Sequence, residues 1–178
     1  MTVQATSYFY AESLFFIFMF FDSSIHILQK QVLLSIIFVF ITILSGGFMA
    51  GSHAGQSFNT YPLMNGKIIP DDIYLTDLGI LNAFENVVTI NFNHRWLGTL
   101  TFIYTFSLFS CLIFNQFINL SIKIIGLVLV VLTFQFLLGI MALLSNVAIE
   151  YGSLHQTNSI VLLTILFIAY FNSKLTRP

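Results

Sequence analysis

The sequence predicts an all-α integral membrane protein: a four-helix transmembrane bundle, with a partial fifth helix before it and a long outer loop carrying a short interfacial helix. Two observations carry that prediction. The chain has 178 residues, 57% hydrophobic and 7% charged, with a mean hydropathy of +0.93. A soluble domain is about 25% charged, so six basic and seven acidic residues cannot cover a water-facing surface. The apolar residues also fall in continuous runs close to the ~20 residues that cross a hydrocarbon core of ~30 Å. They do not alternate as barrel strands would, and backbone in lipid must satisfy its own hydrogen bonds, so each run is read as a helix. A net charge of −1 leaves no basic face for nucleic acid.

The elements follow in order. Residues 5–21 are Phe-rich and apolar apart from Glu12. They lack a basic n-region and are read as part of the mature protein, not as a cleavable signal. Val32–Gly51 carries no charge. Trp96–Ile122 lies between Arg95 and Lys123, Ile124–Ile149 between Lys123 and Glu150, and Tyr151–Ser173 between Glu150 and Lys174. The chain therefore divides into 1–31, the remnant of a preceding helix with an inner linker; 32–173, a four-helix membrane domain with an outer loop at 52–91; and 174–178, an inner tail. Alternating spans put Lys30, Lys123, Lys174 and Arg177 on one side, with Lys67 and Arg95 on the other. The positive-inside rule assigns the first side to the cytoplasm or matrix. The expected location is a bacterial plasma membrane or mitochondrial inner membrane, with the long loop outside and the C-terminus inside.

Four acids (Asp71, Asp72, Asp77, Glu85) lie in the outer loop, and Pro62, Pro70, Gly55 and Gly66 mark turns there. Asp71–Phe84 is expected to form the interfacial helix, with Ile73, Leu78, Ile80, Leu81 and Phe84 toward lipid or the bundle. A loop of this length is usually functional, and here it is expected to act as a lid. Gly47-Phe48-Met49-Ala50 and Gly139-Ile140-Met141-Ala142 each end a span that is followed by a histidine at the head of the next one. That reads as a duplicated helix pair, or as chance in a restricted alphabet. The single cysteine, Cys111, reads as a small core residue.

Of four histidines, His26 reads as a solvated residue of the inner segment and His53 as an interfacial one, with approach to a cofactor from the outer side as the alternative. His94 and His155 differ, because both head a long apolar helix and both helices enter from the same face. Ionisable groups at such positions are costly and usually functional. Two imidazoles from neighbouring helices can share one metal in a bundle. Heme iron suits two neutral imidazoles with no thiolate or carboxylate beside them, whereas structural zinc wants four ligands. Arg95 is then placed to pair with a heme propionate, and Gly98 removes a side chain where a macrocycle would lie. Hydrogen-bonded packing histidines are the rival reading of the same spacing.

The wording of four stretches narrows this. GGFMAGSHAGQSFNTYPLMNGKIIPDD, NAFENVVTINFNHRWLG, QFLLGIMALL and GSLHQTNSIVLLT resemble, over residues 32–172, the second half of heme A synthase of the mitochondrial and proteobacterial type. The motifs AG-x-x-AG, I-P-[DE]-D, F-E-N, [DN]-H-R and L-H-Q recur in order. The resemblance implies an eight-helix enzyme of two similar halves that oxidises the C8 methyl of heme O to the formyl of heme A for cytochrome oxidase. It implies that His94 and His155 ligate a heme b, and that the substrate-side histidine pair and a catalytic glutamate in E-x-x-H-R belong to the first half.

The chain departs from that pattern. Thr6–Phe21 resembles the fourth helix, with Tyr8, Ala11 and Leu14 in place but Ser13 where a histidine is expected, and AGSHAG puts His53 where many members have an acid. Helices one to three and E-x-x-H-R have no counterpart in these residues. The expectation is a heme b-binding half that works with a separately encoded first half or a second copy of the chain, an electron donor and the lipid bilayer. The alternative is a non-catalytic heme-binding or electron-transfer membrane protein derived from that half.

Overall fold

The structure is a computed structural model and describes residues 25–114 and 120–174, with side chains from 28 to 173. The expected helix at 5–21, with Ser13, and the tail beyond Lys174 lie outside the described residues. Four long helices form the bundle: α1 (Ile25–Gly51), α2 (Val87–Phe114), α3 (Ile122–Leu144) and α4 (Ile149–Lys174). All four are long and apolar enough to cross a membrane, and no strand occurs among the described residues. The protein is a multi-pass, all-α membrane bundle.

The helix starts are corrected. α1 begins seven residues before the expected Val32, so His26 lies in a helix. α2 begins at Val87, not Trp96, so His94 sits two turns inside instead of at the mouth. Asn86 explains the early start: its side-chain Oδ1 accepts the Val88 N–H at 3.0 Å and its carbonyl accepts the Ile90 N–H at 2.9 Å, an asparagine N-cap. α3 stops at Leu144, not Ile149. Its end is a Schellman turn, with the Asn146 N–H donating to Leu143 at 3.2 Å and the Val147 N–H to Ala142 at 2.7 Å. Asn146 takes the left-handed conformation that this turn needs (φ 58°).

α1 packs against α2 and α4, and α3 packs against the same two helices. The helices form a ring in which α2 and α4 occupy opposite corners. Half of the bundle is filled by a dry core around Val32, Ile36, Phe109, Val128, Leu162 and Leu166. The helix surfaces carry exposed Phe40, Ile103, Val130 and Ile160, as expected where lipid tails are the solvent.

The long connection Ser52–Asn86 covers the other end of the ring. The expected interfacial helix is instead a 3-10 segment, Thr76–Leu81, followed by a single α turn, Asn82–Glu85. Gly79 (φ 50°, ψ −125°) breaks the helical path inside the 3-10 segment. Ile80, Leu81 and Phe84 are exposed, while Leu78 and Ile73 are half-buried.

Candidate functional site

A cavity of about 520 Å³ lies between the four helices at the loop-covered end, within the usual range for a ligand site. Every helix contributes to its wall: Thr42, Gly46 and Gly47 from α1, His94, Gly98 and Phe102 from α2, Gln135, Phe136 and Gly139 from α3, His155 and Gln156 from α4. His94 and His155 lie seven and six residues into their helices, about 10 Å and 9 Å along the axis at 1.5 Å per residue. Both histidines line the one cavity, but their helices are not the neighbours expected: the two sit on opposite corners of the ring, across the cavity from each other.

Each imidazole rests against a glycine of the preceding helix. A Cβ on Gly139 would lie 2.9 Å from His155 Cε1, and one on Gly46 would lie 3.2 Å from His94 Cε1. Gly46, not the echo's Gly47, is thus the counterpart of Gly139, and the repeated four-residue motif is out of register by one. Gly98 lines the cavity, and a Cβ there would sit at ordinary contact distance, 3.9 Å, from Thr42 Cγ2. Phe102 and Phe136 stack at 4.3 Å with 17° between their planes, and Tyr61 meets Phe136 edge-on at 6.2 Å. These rings form a flat apolar wall at the α2–α3 corner.

The roof is held by buried amides and one guanidinium. Arg95 donates from Nε to Asn91 Oδ1, from Nη1 to the Thr60 carbonyl and from Nη2 to the Phe58 carbonyl, each at 2.6 Å. Asn91, fully buried, donates to the Ala54 carbonyl at 2.6 Å. Asn82 Nδ2 donates to the carbonyls of Leu75 and Gly79, and Asn86 Nδ2 donates to that of Asp72. These bonds satisfy loop carbonyls that the turn geometry leaves unpaired. Arg95 borders the cavity, but two of its five N–H groups hold loop carbonyls and a third holds Asn91 of its own helix, a role its sequence position did not reveal. His53, read as a plain interfacial residue, also lines the cavity rim, in a left-handed conformation (φ 55°). Gly55 packs on Val147, itself at φ 60°; a Cβ there would lie 2.7 Å from Val147 Cγ2.

The donor set fits a heme. Among the described residues no three His, Cys, Asp or Glu side chains gather, so these residues do not supply the four-ligand shell of structural zinc. Two facing imidazoles suit a metal that brings its own in-plane ligands. The Nδ1 of His94 is buried without a hydrogen-bond partner, which leaves Nε2 as the nitrogen open to a ligand. The glycines keep the approach to both rings clear, and the aromatic wall offers a planar apolar surface.

A family profile described as cytochrome oxidase assembly protein, COX15-CtaA, matches residues 22–167. The chain belongs to the COX15-CtaA family. Its similar relatives in the family include a heme A synthase from Wolbachia pipientis wMel, 31% identical over 92% of this chain and 48% of the relative. A heme A synthase from Granulibacter bethesdensis is 37% identical over 79% and 36%, and the heme A synthase COX15 of Arabidopsis thaliana is 35% identical over 84% and 32%. The chain spans less than half the length of these COX15-CtaA relatives. No solved structure matches it significantly.

Proposed function

We propose that this chain binds one heme b through His94 and His155, as the cofactor half of a heme A synthase-type oxidoreductase. The observation that carries the reading is the pair of imidazoles on opposite corners of one roofed, mostly apolar cavity. A heme bound there would supply one-electron redox chemistry. The protein's own residues do the rest. His94 and His155 offer nitrogen ligands from opposite walls, Gly46 and Gly139 clear space for the rings, and Phe102 with Phe136 excludes water. The Arg95–Asn91 network closes the roof, and Arg95, His53 and Gln56 put polar groups near its rim for the propionates.

The reaction proposed is oxidation of the C8 methyl of heme O toward the formyl of heme A, for cytochrome oxidase biogenesis. The substrate-side site belongs to a further half, in the part of the relatives' length that this chain does not cover. The loop end faces outside, and an electron donor serves the bound heme. The test is coexpression with a heme O source, with and without a first half carrying E-x-x-H-R, followed by heme extraction and chromatography. Heme A or its hydroxylated intermediate is expected only when both halves are present. Its accumulation with this chain alone would overturn the division of labour, and no product with both halves would favour a non-catalytic heme carrier.

A further inference from the structure

We propose that the two histidines are unequal ligands: His155 is the fixed one, His94 the exchangeable one, and Gln135 and Asn158 are positioning residues for His155. The inference rests on the heme reading above.

The difference lies in what stands behind each ring. His155 Nδ1 is 3.1 Å from the backbone carbonyl of Gln135 and 3.1 Å from Gln135 Nε2. The orientation of the amides behind it is fixed by a backbone group. Asn158 Nδ2 donates to the Val131 carbonyl at 3.2 Å, which can only accept, and to Gln135 Oε1 at 2.8 Å. Asn158 therefore presents its NH2 to Gln135, and the Gln135 NH2 lies against the His155 ring, 3.1 Å from Nδ1 and 3.5 Å from Nε2. α3 and α4 are thus tied twice, by the Val131–Asn158–Gln135 amide chain and by the Gln135 carbonyl at His155 Nδ1. With Nε2 on a metal, the Nδ1 proton of His155 already has an acceptor in the Gln135 carbonyl. Such a bond fixes the tautomer, orients the ring and makes it a better donor to the metal.

His94 has none of this. Its Nδ1 is equally enclosed but meets no hydrogen-bonding group, and its nearest α1 neighbour is Gly46. With Nε2 on a metal, its Nδ1–H remains an unsatisfied buried donor, which is unfavourable. The fixed and free rings face each other, so ligand loss or exchange should occur on the α2 side of the cavity.

The test uses the purified chain in detergent, loaded with ferric heme b. His94→Gly is expected to keep about one heme per chain in a five-coordinate, high-spin form that returns to low spin on adding free imidazole. His155→Gly is expected to keep less than about one tenth. Equal loss in both variants, or the reverse order, overturns the inference while leaving heme binding itself intact. If the unaltered chain takes up no heme, the underlying reading fails instead, and this one with it. Gln135→Leu leaves both histidines in place and gives a second readout. Its low-spin spectrum and reduction potential should persist, because the backbone carbonyl behind Nδ1 remains, with about tenfold weaker heme retention, and Gln135→Asn should restore part of that retention. A retention unchanged by Gln135→Leu would show that the side chain does not position His155.

Discussion

Replacing Gly139 with alanine tests the cradle around His155. The new methyl would sit 3.4 Å from His155 Nδ1, 3.5 Å from Nε2 and 2.9 Å from Cε1, the last closer than side-chain carbons tolerate. The ring must shift, because the neighbour is a stiff imidazole held by the Gln135 carbonyl. Overpacking of this kind costs about 1–3 kcal/mol, and loosening the Nδ1 hydrogen bond adds about 1 kcal/mol. Alanine returns up to about 1 kcal/mol of helix propensity. Stability of the heme-free chain should therefore change by only about 1–3 kcal/mol. Heme binding needs the displaced ring itself and should weaken by roughly 10- to 100-fold, since about 1.4 kcal/mol is a factor of ten. Gly46→Ala, with its methyl at 3.2 Å from His94, should do less. The assay is a heme titration of both variants followed by absorbance, with thermal unfolding of the heme-free proteins as control. Wild-type affinity in Gly139→Ala, or a larger defect in Gly46→Ala, would refute the cradle.

The roof yields further expectations. Arg95→Ala removes three hydrogen bonds that anchor Phe58, Thr60 and Asn91; at about 1–2 kcal/mol each for a charged donor, amide exchange in residues 57–64 should accelerate at least tenfold, and unchanged protection would mean that the guanidinium is not the anchor. Gly55→Ala should destabilise the chain, because its methyl falls 2.7 Å from Val147 Cγ2, and adding Val147→Ala should recover most of the loss in thermal unfolding; a purely additive pair would deny the contact. Asn86→Ala removes the α2 cap and the tie to the Asp72 carbonyl. It should cost about 1–3 kcal/mol and expose residues 72–76 to limited proteolysis, whereas intact protection there would show that the loop is held elsewhere.

The four spans were legible because hydropathy in a bilayer is decided by long windows, and substitutions within the apolar alphabet leave it unchanged. Their ends were not. The first two turns of α2 read Val87-Val88-Thr89-Ile90-Asn91-Phe92-Asn93, polar enough to pass for loop, because Asn91 and Thr89 spend their polar groups on the roof. His94 and His155 were legible as ionisable groups in apolar helices. Their diagonal placement was not, since chain order does not fix which helices of a ring touch. Arg95 was read from its nearness to His94, but its partners are carbonyls 35 and 37 residues earlier, and a backbone acceptor has no sequence signature. Gln135 and Asn158 did carry a signal. Each is an amide inside an apolar span, where an unpaired polar group is costly, and such residues call for a partner across the helix interface.

The account's central claim is that one heme lies between His94 and His155, and its most direct test is electron paramagnetic resonance of the purified chain loaded with ferric heme b. One low-spin, bis-histidine heme per chain is predicted, with that signal lost in both His94→Ala and His155→Ala. A chain that binds no heme, or one whose low-spin signal survives both substitutions, would contradict it.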